Sequence, residues 1–167
     1  MGKIKANDII ETRDKLSTEI TKYWNIIRIE NVVNKNYQRN YDLKALHTLI
    51  QDLAIKRADA KLKALCLNLG IDSYDKLSND CNQMNIFMLC ELQEQKVQLN
   101  QIKTINPKLK ALKGKKNLNK TEVMTSNYIK AHIDELDKRI IEYKKKIADF
   151  NESHTFDDTV IYKGFTA

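Results

Sequence analysis

A run of lysines in the second half of the chain is the clearest chemical signal in the sequence. Between Gln95 and Thr121 there are eight lysines and no acidic residue. The charge of this segment is therefore larger than the net charge of +7 of the whole chain, and the charges of the remaining residues sum to −1. Ammonium groups gathered on one short segment attract phosphate and carboxylate groups. The run therefore predicts contact with an anionic ligand through Lys103, Lys108, Lys110, Lys113, Lys115, Lys116 and Lys120.

The lysine run also has a simpler interpretation, as a solvated loop that keeps the chain soluble. The segment contains no aromatic residue that could stack on a base, which argues against sequence-specific nucleic-acid binding. A nucleotide-like small molecule and an acidic membrane surface both remain open as partners.

Two arginines stand at apolar positions of neighbouring predicted helices. Arg13 and Arg57 interrupt the stripes of apolar residues at heptad spacing, where a permanently charged guanidinium is costly to bury without a partner. If they converge with Asn85 or Gln95, which interrupt the stripe of the third helix, the four form a polar pocket suited to a phosphate or carboxylate. Alternatively, both arginines reach the solvent edge or pair with acidic residues.

Motifs that support catalysis are missing from the sequence. The four glycines, Gly2, Gly70, Gly114 and Gly164, are too far apart to build a phosphate-binding loop or a G-x-S-x-G nucleophile turn. No C-x-x-C, H-E-x-x-H or EF-hand pattern occurs. We therefore expect no enzymatic activity, no catalytic residue and no cofactor.

The histidines do not assemble a metal site in the sequence. His132 and Glu135 have a spacing that can share a metal ion on one helix face, but a di-metal bundle requires two such pairs and further carboxylates. We interpret these two residues as a solvated surface pair. His47 and His154 are interpreted as lone polar residues, so no metal is expected.

Composition limits the class of protein. Hydrophobic residues make up 42 % of the 167 residues, with four glycines and one proline, which fits one helical domain better than a disordered or strand-rich chain. The longest purely apolar run, at 86–90, is too short to cross a membrane. The three cysteines, Cys66, Cys81 and Cys90, lie in apolar helical contexts, which suits reduced thiols in a cytoplasm.

Apolar periodicity predicts four helices and an all-α fold in a single domain. The most regular helix has an unbroken heptad stripe formed by Ile129, Ile133, Leu136, Ile140, Tyr143, Ile147 and Phe150. The pattern as a whole indicates an antiparallel coiled-coil hairpin or a four-helix bundle. The predicted segments are helices at 8–33, 42–69, 73–105 and 122–150, a basic connector at 106–121 and a C-terminal tail at 151–167. The expected helix caps and the expected glycine stop of the second helix are Asn7 or Asp8, Asp42, Asp72 or Ser73, and Gly70.

The first predicted helix carries more apolar surface than one neighbouring helix can cover. Ile10, Ile26, Ile29, Val32 and Val33 widen the apolar face beside its heptad stripe. A surplus of this kind marks a second interface. We therefore predict a homo-oligomer.

Several positions along the chain resemble a family of small helical bacterial proteins labelled septicolysin. The resemblance implies an all-helical, oligomeric protein, and Glu152 stands where that family usually carries Trp. The cytolysin label of the family does not follow from any residue of this chain. The similar positions are Arg13, Leu16 and Ile20, the stretch from Met88 to Ile102, and the ending with Ile147, Asn151, Thr155 and Phe156.

Together these features predict a cytoplasmic, non-enzymatic helical homo-oligomer that binds an anionic ligand, either nucleotide-like or otherwise phosphate-bearing. Two alternatives stay open. One is a structural or protein-interaction coiled-coil module that makes contacts through its first helix and its tail. The other is a membrane-active protein of the septicolysin type.

Overall fold

The structure is a computed structural model that describes residues 3–105, 119–157 and 159. Within these residues the chain forms four α-helices, one short 3-10 helix and two short strands. In chain order they are α1 (Ala6–Glu30), β1 (Val32–Asn34), α2 (Leu43–Asn68), the 3-10 helix (Tyr74–Lys76), α3 (Gln83–Asn100), β2 (Lys120–Glu122) and α4 (Ser126–Ser153).

Helix α1 follows the predicted periodicity but its ends are shifted. The helix ends at Glu30, before the expected end at residue 33, because residues 32–34 form β1. Its first turn begins after Lys5, whose side chain makes no capping hydrogen bond. The caps expected at Asn7 or Asp8 are therefore wrong, and Asp8 instead places an acid in the first turn, where the helix dipole favours it.

Helix α2 has both of its predicted ends. The Asp42 carboxylate accepts hydrogen bonds from the N–H groups of Lys44 and Ala45, which satisfies two free donors of the first turn. The helix ends at Asn68, and Gly70 follows with φ +74°, a left-handed conformation that glycine adopts without strain.

Helix α3 is shorter than the helix predicted at 73–105. Ser73 does accept a hydrogen bond from the Asp75 N–H, but this cap starts only the single 3-10 turn. Farther on, the Ser78 hydroxyl accepts from the Asp80 N–H at 3.2 Å. Local side-chain bonds of this kind compete with helix formation, so the polar stretch before Gln83 delays the start of α3.

Helix α4 agrees best with the sequence pattern. The Thr125 hydroxyl caps it by accepting from the Tyr128 N–H at 3.2 Å, and the helix continues to Ser153. The predicted heptad stripe faces the core over its first half. Ile129, Leu136 and Ile140 are buried, and Ile133 and Tyr143 pack against them.

A two-stranded antiparallel pairing joins segments that are far apart in the sequence. Val32 lies opposite Glu122, and Asn34 lies opposite Lys120. The sequence predicts a helix end and a turn at the first segment and a basic connector at the second, so this pairing was missed. It fixes the end of α1 beside the start of α4.

The four helices share one hydrophobic core, which confirms the all-α prediction. Helix α1 packs on α2, α2 on α3, and α3 on α4. No described helix combines the length and the apolar character that a bilayer span requires. The core consists of Ile20, Trp24, Ile27, Leu43, Ile50, Leu53, Leu92, Leu99, Ile102, Met124, Ile129, Leu136 and Ile140.

Candidate functional site

A cleft with three cationic side chains lies where the end of α1, the chain after α3 and the start of β2 meet. Its volume is about 610 Å³, within the range of small-molecule sites. Arg28 comes from the last turn of α1, Lys103 follows α3, and Lys120 opens β2. The other lining residues are Ile29, Val32, Gln101, Thr104 and Ile105.

Neutral amides hold Arg28 at this cationic cleft without cancelling its charge. The guanidinium donates hydrogen bonds to the side-chain oxygens of Asn25, Gln98 and Gln101, the last at 3.0 Å. An amide oxygen accepts a hydrogen bond but carries no net charge. The positive charge of Arg28 is therefore oriented and still available to an anion.

The three cations of the cleft form no ion pair with another residue that the structure describes. None of the ion pairs within 3–105 and 119–157 includes Arg28, Lys103 or Lys120. One carboxylate, that of Glu122, lies beside the cleft, where its Oε2 accepts a hydrogen bond from the Ile105 N–H at 2.6 Å. The three cations outnumber this anion, so the cleft keeps a net positive charge that an anionic ligand would balance.

A buried amide, Asn31, holds the backbone around the cleft. Its Nδ2 donates to the carbonyl oxygens of Lys103 and Met124, both at 2.9 Å. Its Oδ1 accepts from the N–H groups of Met124 at 2.7 Å and Val123 at 3.3 Å. One side chain therefore joins the end of α1 to the segment after α3 and to the segment after β2.

Arg39 also holds this junction together. Its Nε donates to the Glu30 carbonyl at 2.8 Å, and its Nη2 donates to the carbonyls of Asn31 at 3.0 Å and Thr121 at 2.9 Å. The first two carbonyls belong to the C-terminal end of α1, where no intrahelical donor reaches them. The guanidinium therefore caps α1 and keeps β2 beside it.

The predicted lysines divide into two that line the cleft and five that cannot be placed. Lys103 and Lys120 are both exposed at the cleft. Arg28 was not predicted as a ligand-binding residue, because an arginine on the outer side of a helix is ordinary. Its apolar neighbours Ile27 and Ile29 are the only sign in the sequence that this arginine lies near the core. Lys108, Lys110, Lys113, Lys115 and Lys116 lie outside the described residues.

Arg57 lies in a buried ion cluster between α2 and α3. Its Nη2 is 2.5 Å from Glu91 Oε2 and 2.6 Å from Glu94 Oε2, and Lys61 Nζ is 2.8 Å from Glu91 Oε1. Burial opposes the charge of Arg57, but the hydrogen bonds and charges of both glutamates outweigh it and raise its pKa. Two cations and two anions balance each other here. For Arg57, the predicted alternative of pairing with acidic residues is therefore correct.

Among the described residues, the other members of the predicted arginine pocket form no hydrogen bond or ion pair with Arg57 or with one another. Arg13 pairs with Asp14 at 2.8 Å on the surface of α1, and Asn85 donates to Asn82 Oδ1 at 3.0 Å. Gln95 is buried on α3, and its Oε1 has no hydrogen-bond partner among the described residues. Nothing in these contacts joins Arg13, Arg57, Asn85 and Gln95 into one pocket, and their role in ligand binding stays a prediction.

A cluster of aromatic rings brings together residues that the sequence leaves unrelated. The ring of His47 on α2 lies 4.8 Å from that of His132 and 5.7 Å from that of Trp24, and its Nδ1 is 3.1 Å from the Tyr128 hydroxyl. The interpretation of His132 as part of a solvated surface pair is therefore wrong. Within the described part of the chain, no group of three or more His, Cys, Asp or Glu side chains could hold a metal ion.

This cluster makes stability depend on pH. Burial, and then the charge of His132, lower the pKa of His47 from 6.5 to about 4. Between pH 6.5 and about pH 4, His47 is therefore protonated in the unfolded chain but not in the folded one. Stability is lost as the pH falls through that range. Between pH 7 and pH 5 we expect the wild-type free energy of unfolding to drop by roughly 2 kcal/mol more than that of His47→Phe. Urea unfolding at both pH values measures the difference.

The exposed histidine at the end of α4 provides the control for this measurement. His154 stacks on Phe150, away from the aromatic cluster. The His154→Phe variant makes the same substitution at a histidine outside the cluster and is measured in the same way. Equal pH dependence in wild type and His47→Phe would show that His47 does not titrate in this way.

Comparisons of the chain with protein-family models, with curated proteins and with solved structures found no match. The resemblance to the septicolysin family therefore stays a prediction. The function has to be argued from the cationic cleft itself.

Proposed function

We propose that this protein is a non-enzymatic binding protein whose cationic cleft takes an anionic, phosphate-bearing ligand. The observation that carries the proposal is the convergence of Arg28, Lys103 and Lys120 on one cleft, with no ion-pair partner for them among the described residues. Arg28 brings a guanidinium whose charge its three neutral amide partners do not cancel, and the two lysines add mobile ammonium groups.

The apolar lining supports a ligand that carries more than a bare phosphate. Ile105 is buried at the cleft, Val32 is half-buried, and Ile29 leaves 74 % of its surface exposed. An exposed isoleucine gains from contact with an apolar or ring-shaped group. A nucleotide combines such a group with phosphate, so we propose a nucleotide-like ligand.

We also propose that the helical frame is an antiparallel four-helix bundle. Helices adjacent in the sequence pack on each other from α1 to α4. Trp24, near the end of α1, lies 5.7 Å from His47, near the start of α2, which is the contact expected of antiparallel neighbours in such a bundle.

Calorimetry with adenosine 5′-monophosphate tests the proposed site. We expect binding that weakens between 50 and 500 mM salt, because the added ions screen the attraction between the cationic side chains and the phosphate. The double variant Lys103→Gln/Lys120→Gln should raise the dissociation constant by about 10- to 100-fold, since each charged hydrogen bond contributes a few kcal/mol at most. The matched control Lys56→Gln/Lys130→Gln removes two exposed lysines from α2 and α4 and should bind like wild type.

Three further ligands separate the sources of the phosphate. Adenosine, which lacks phosphate, should not bind, and inorganic pyrophosphate should bind more weakly than the nucleotide. Vesicles of phosphatidylglycerol should show no binding beyond that of vesicles of phosphatidylcholine. Strong, selective binding to the anionic vesicles alone would instead favour a membrane-surface protein, and recovery of hydrolysed nucleotide would overturn the non-enzymatic proposal.

A further inference from the structure

The most exposed stripe of α3 consists of uncharged residues, and Glu94 and Lys96 flank it with side chains that are 41 % and 37 % exposed. Its exposed residues are Ile86, Cys90, Gln93, Val97 and Asn100. Ile86 exposes 37 % and Val97 exposes 54 % of its surface. In a chain with 31 % charged residues, a solvent-facing helix surface normally contains several of them.

The other three helices follow this normal rule. Helix α1 exposes charged residues such as Asp8, Glu11 and Lys22, and α2 exposes Lys44, Asp52 and Lys56. Helix α4 has charges along most of its exposed surface. The charged residues of α3 are turned inward or sideways, because Glu91 and Glu94 contact Arg57, and Lys96 pairs with Asp137 at 2.5 Å. The neutral outer face is thus particular to α3.

The spacing of these exposed residues is that of a coiled-coil seam. From Ile86 to Asn100 they follow steps of four, three, four and three residues, which places all five on one stripe of the helix. Cys90 and Val97 then occupy one seam position, and Ile86, Gln93 and Asn100 the other. Polar residues within such a seam commonly select register and number of strands.

We propose that the outer face of α3 (Ile86, Cys90, Gln93, Val97 and Asn100) is the surface through which two copies of this chain form a dimer. Two copies with a net charge of +7 repel each other, so an uncharged face offers them the contact of least repulsion. Gln93 lies at the middle of the seam, and its amide both donates and accepts. It can therefore hydrogen-bond to the same residue of a second copy across a two-fold axis.

The dimer should be weak, because the seam is short. The eighteen residues of α3 extend about 27 Å, and one face of a helix is about 10 Å wide. The area of such a strip is well below the roughly 800 Å² per partner that a stable interface buries. We therefore expect a dissociation constant in the micromolar range or above. Dimer formation does not depend on the proposed anionic ligand.

Sedimentation velocity from low to high micromolar concentration tests the dimer. Wild-type protein should shift from monomer to dimer across this range. Val97→Lys, and separately Ile86→Lys, should raise the dissociation constant at least about tenfold, because each places two like charges in a neutral seam. Both side chains are partly exposed, and an unchanged thermal unfolding midpoint will show that the variants remain folded.

The matched control lies on α1, where the sequence predicts surplus apolar surface. Ile10 exposes 41 % of its surface, and Ile10→Lys adds the same charge outside the α3 face. It should dimerise like wild type. Dissociation by Ile10→Lys but not by Val97→Lys would place the interface on α1 and overturn the proposal, as would a wild-type chain that stays monomeric throughout.

Disulfide trapping at the exposed Cys90 provides a second, independent measurement. If two α3 helices run parallel, diamide should link Cys90 to its own copy. If they run antiparallel about Gln93, Cys90 lies opposite residue 97, and diamide should produce a linked dimer in Val97→Cys. The Cys90→Ser control removes either link. Absence of any link through residue 90 would overturn the proposal.

Discussion

Replacement of Arg57 by leucine is expected to lower the free energy of unfolding by about 3–5 kcal/mol. The variant leaves the Glu91 carboxylate at 1 % exposure, with Lys61 as its remaining cation. A buried carboxylate that loses its main partner keeps the cost of desolvation without the compensating attraction. Urea unfolding at pH 7 measures the loss.

A double variant separates the cost of the orphaned charge from the value of the ion pair. Arg57→Leu/Glu91→Leu removes both buried charges and should recover most of the stability that Arg57→Leu loses, since apolar pairs often replace buried ion pairs without loss. Lys61 and Glu94 remain, but their side chains are 30 % and 41 % exposed and can reach water. A double variant less stable than Arg57→Leu would contradict this account.

An exposed ion pair on the same helix is the matched control. Lys63 pairs with Asp59 at 2.6 Å, with side chains 42 % and 39 % exposed. Water and salt screen such a pair, so Lys63→Gln should cost less than about 1 kcal/mol. A loss of the same size in Lys63→Gln and Arg57→Leu would show that burial does not set the energetic difference.

The sequence predicts those parts of the fold that depend on neighbouring residues. The Asp42 cap, the glycine stop at Gly70 and the first half of the heptad stripe of α4 are all local patterns, and the structure confirms them. The late start of α3 is also a local effect, but two local signals compete there. The Ser73 cap suggested a long helix, whereas the polar side-chain bonds near Ser78 hold the chain out of it.

The contacts that define the cationic cleft join segments that no local pattern connects. The whole of α2 and α3 lies between β1 and β2 in the sequence, and Asn31 reaches Met124 across 93 positions. Heptad spacing shows which residues face inward but not which partner they meet. For this reason Lys103 and Lys120 were named as ligand-binding candidates from their charge, whereas Arg28 required the structure.

The sequence allows acidic partners for Arg57 but does not identify them, for a related reason. Arg57 is unusual because it interrupts an apolar stripe, and this was visible in the sequence. Glu91 reads as an ordinary charged residue on a helix, yet its side chain is 1 % exposed. A buried cation requires an anion, but only the packing of α2 on α3 selects which acidic residue provides it.

Asn31→Ala is expected to lower the free energy of unfolding by roughly 3–5 kcal/mol, because several buried backbone groups lose their partner at once. The groups are the carbonyls of Lys103 and Met124 and the N–H groups of Val123 and Met124. Urea unfolding measures the total loss. Hydrogen exchange should locate it, with faster exchange at the Met124 N–H than in wild type.

The same substitution connects the frame of the cationic cleft to its proposed function. Asn31 positions the backbone of Lys103 and the segment after Lys120, whereas Arg57 lies between α2 and α3. Asn31→Ala and Arg57→Leu should therefore lose similar stability but differ in ligand affinity. Under conditions where both variants are folded, Asn31→Ala should bind adenosine 5′-monophosphate at least about tenfold more weakly than wild type, and Arg57→Leu should bind normally. Equal weakening in both variants would mean that general loosening, and not the position of the lysines, controls binding.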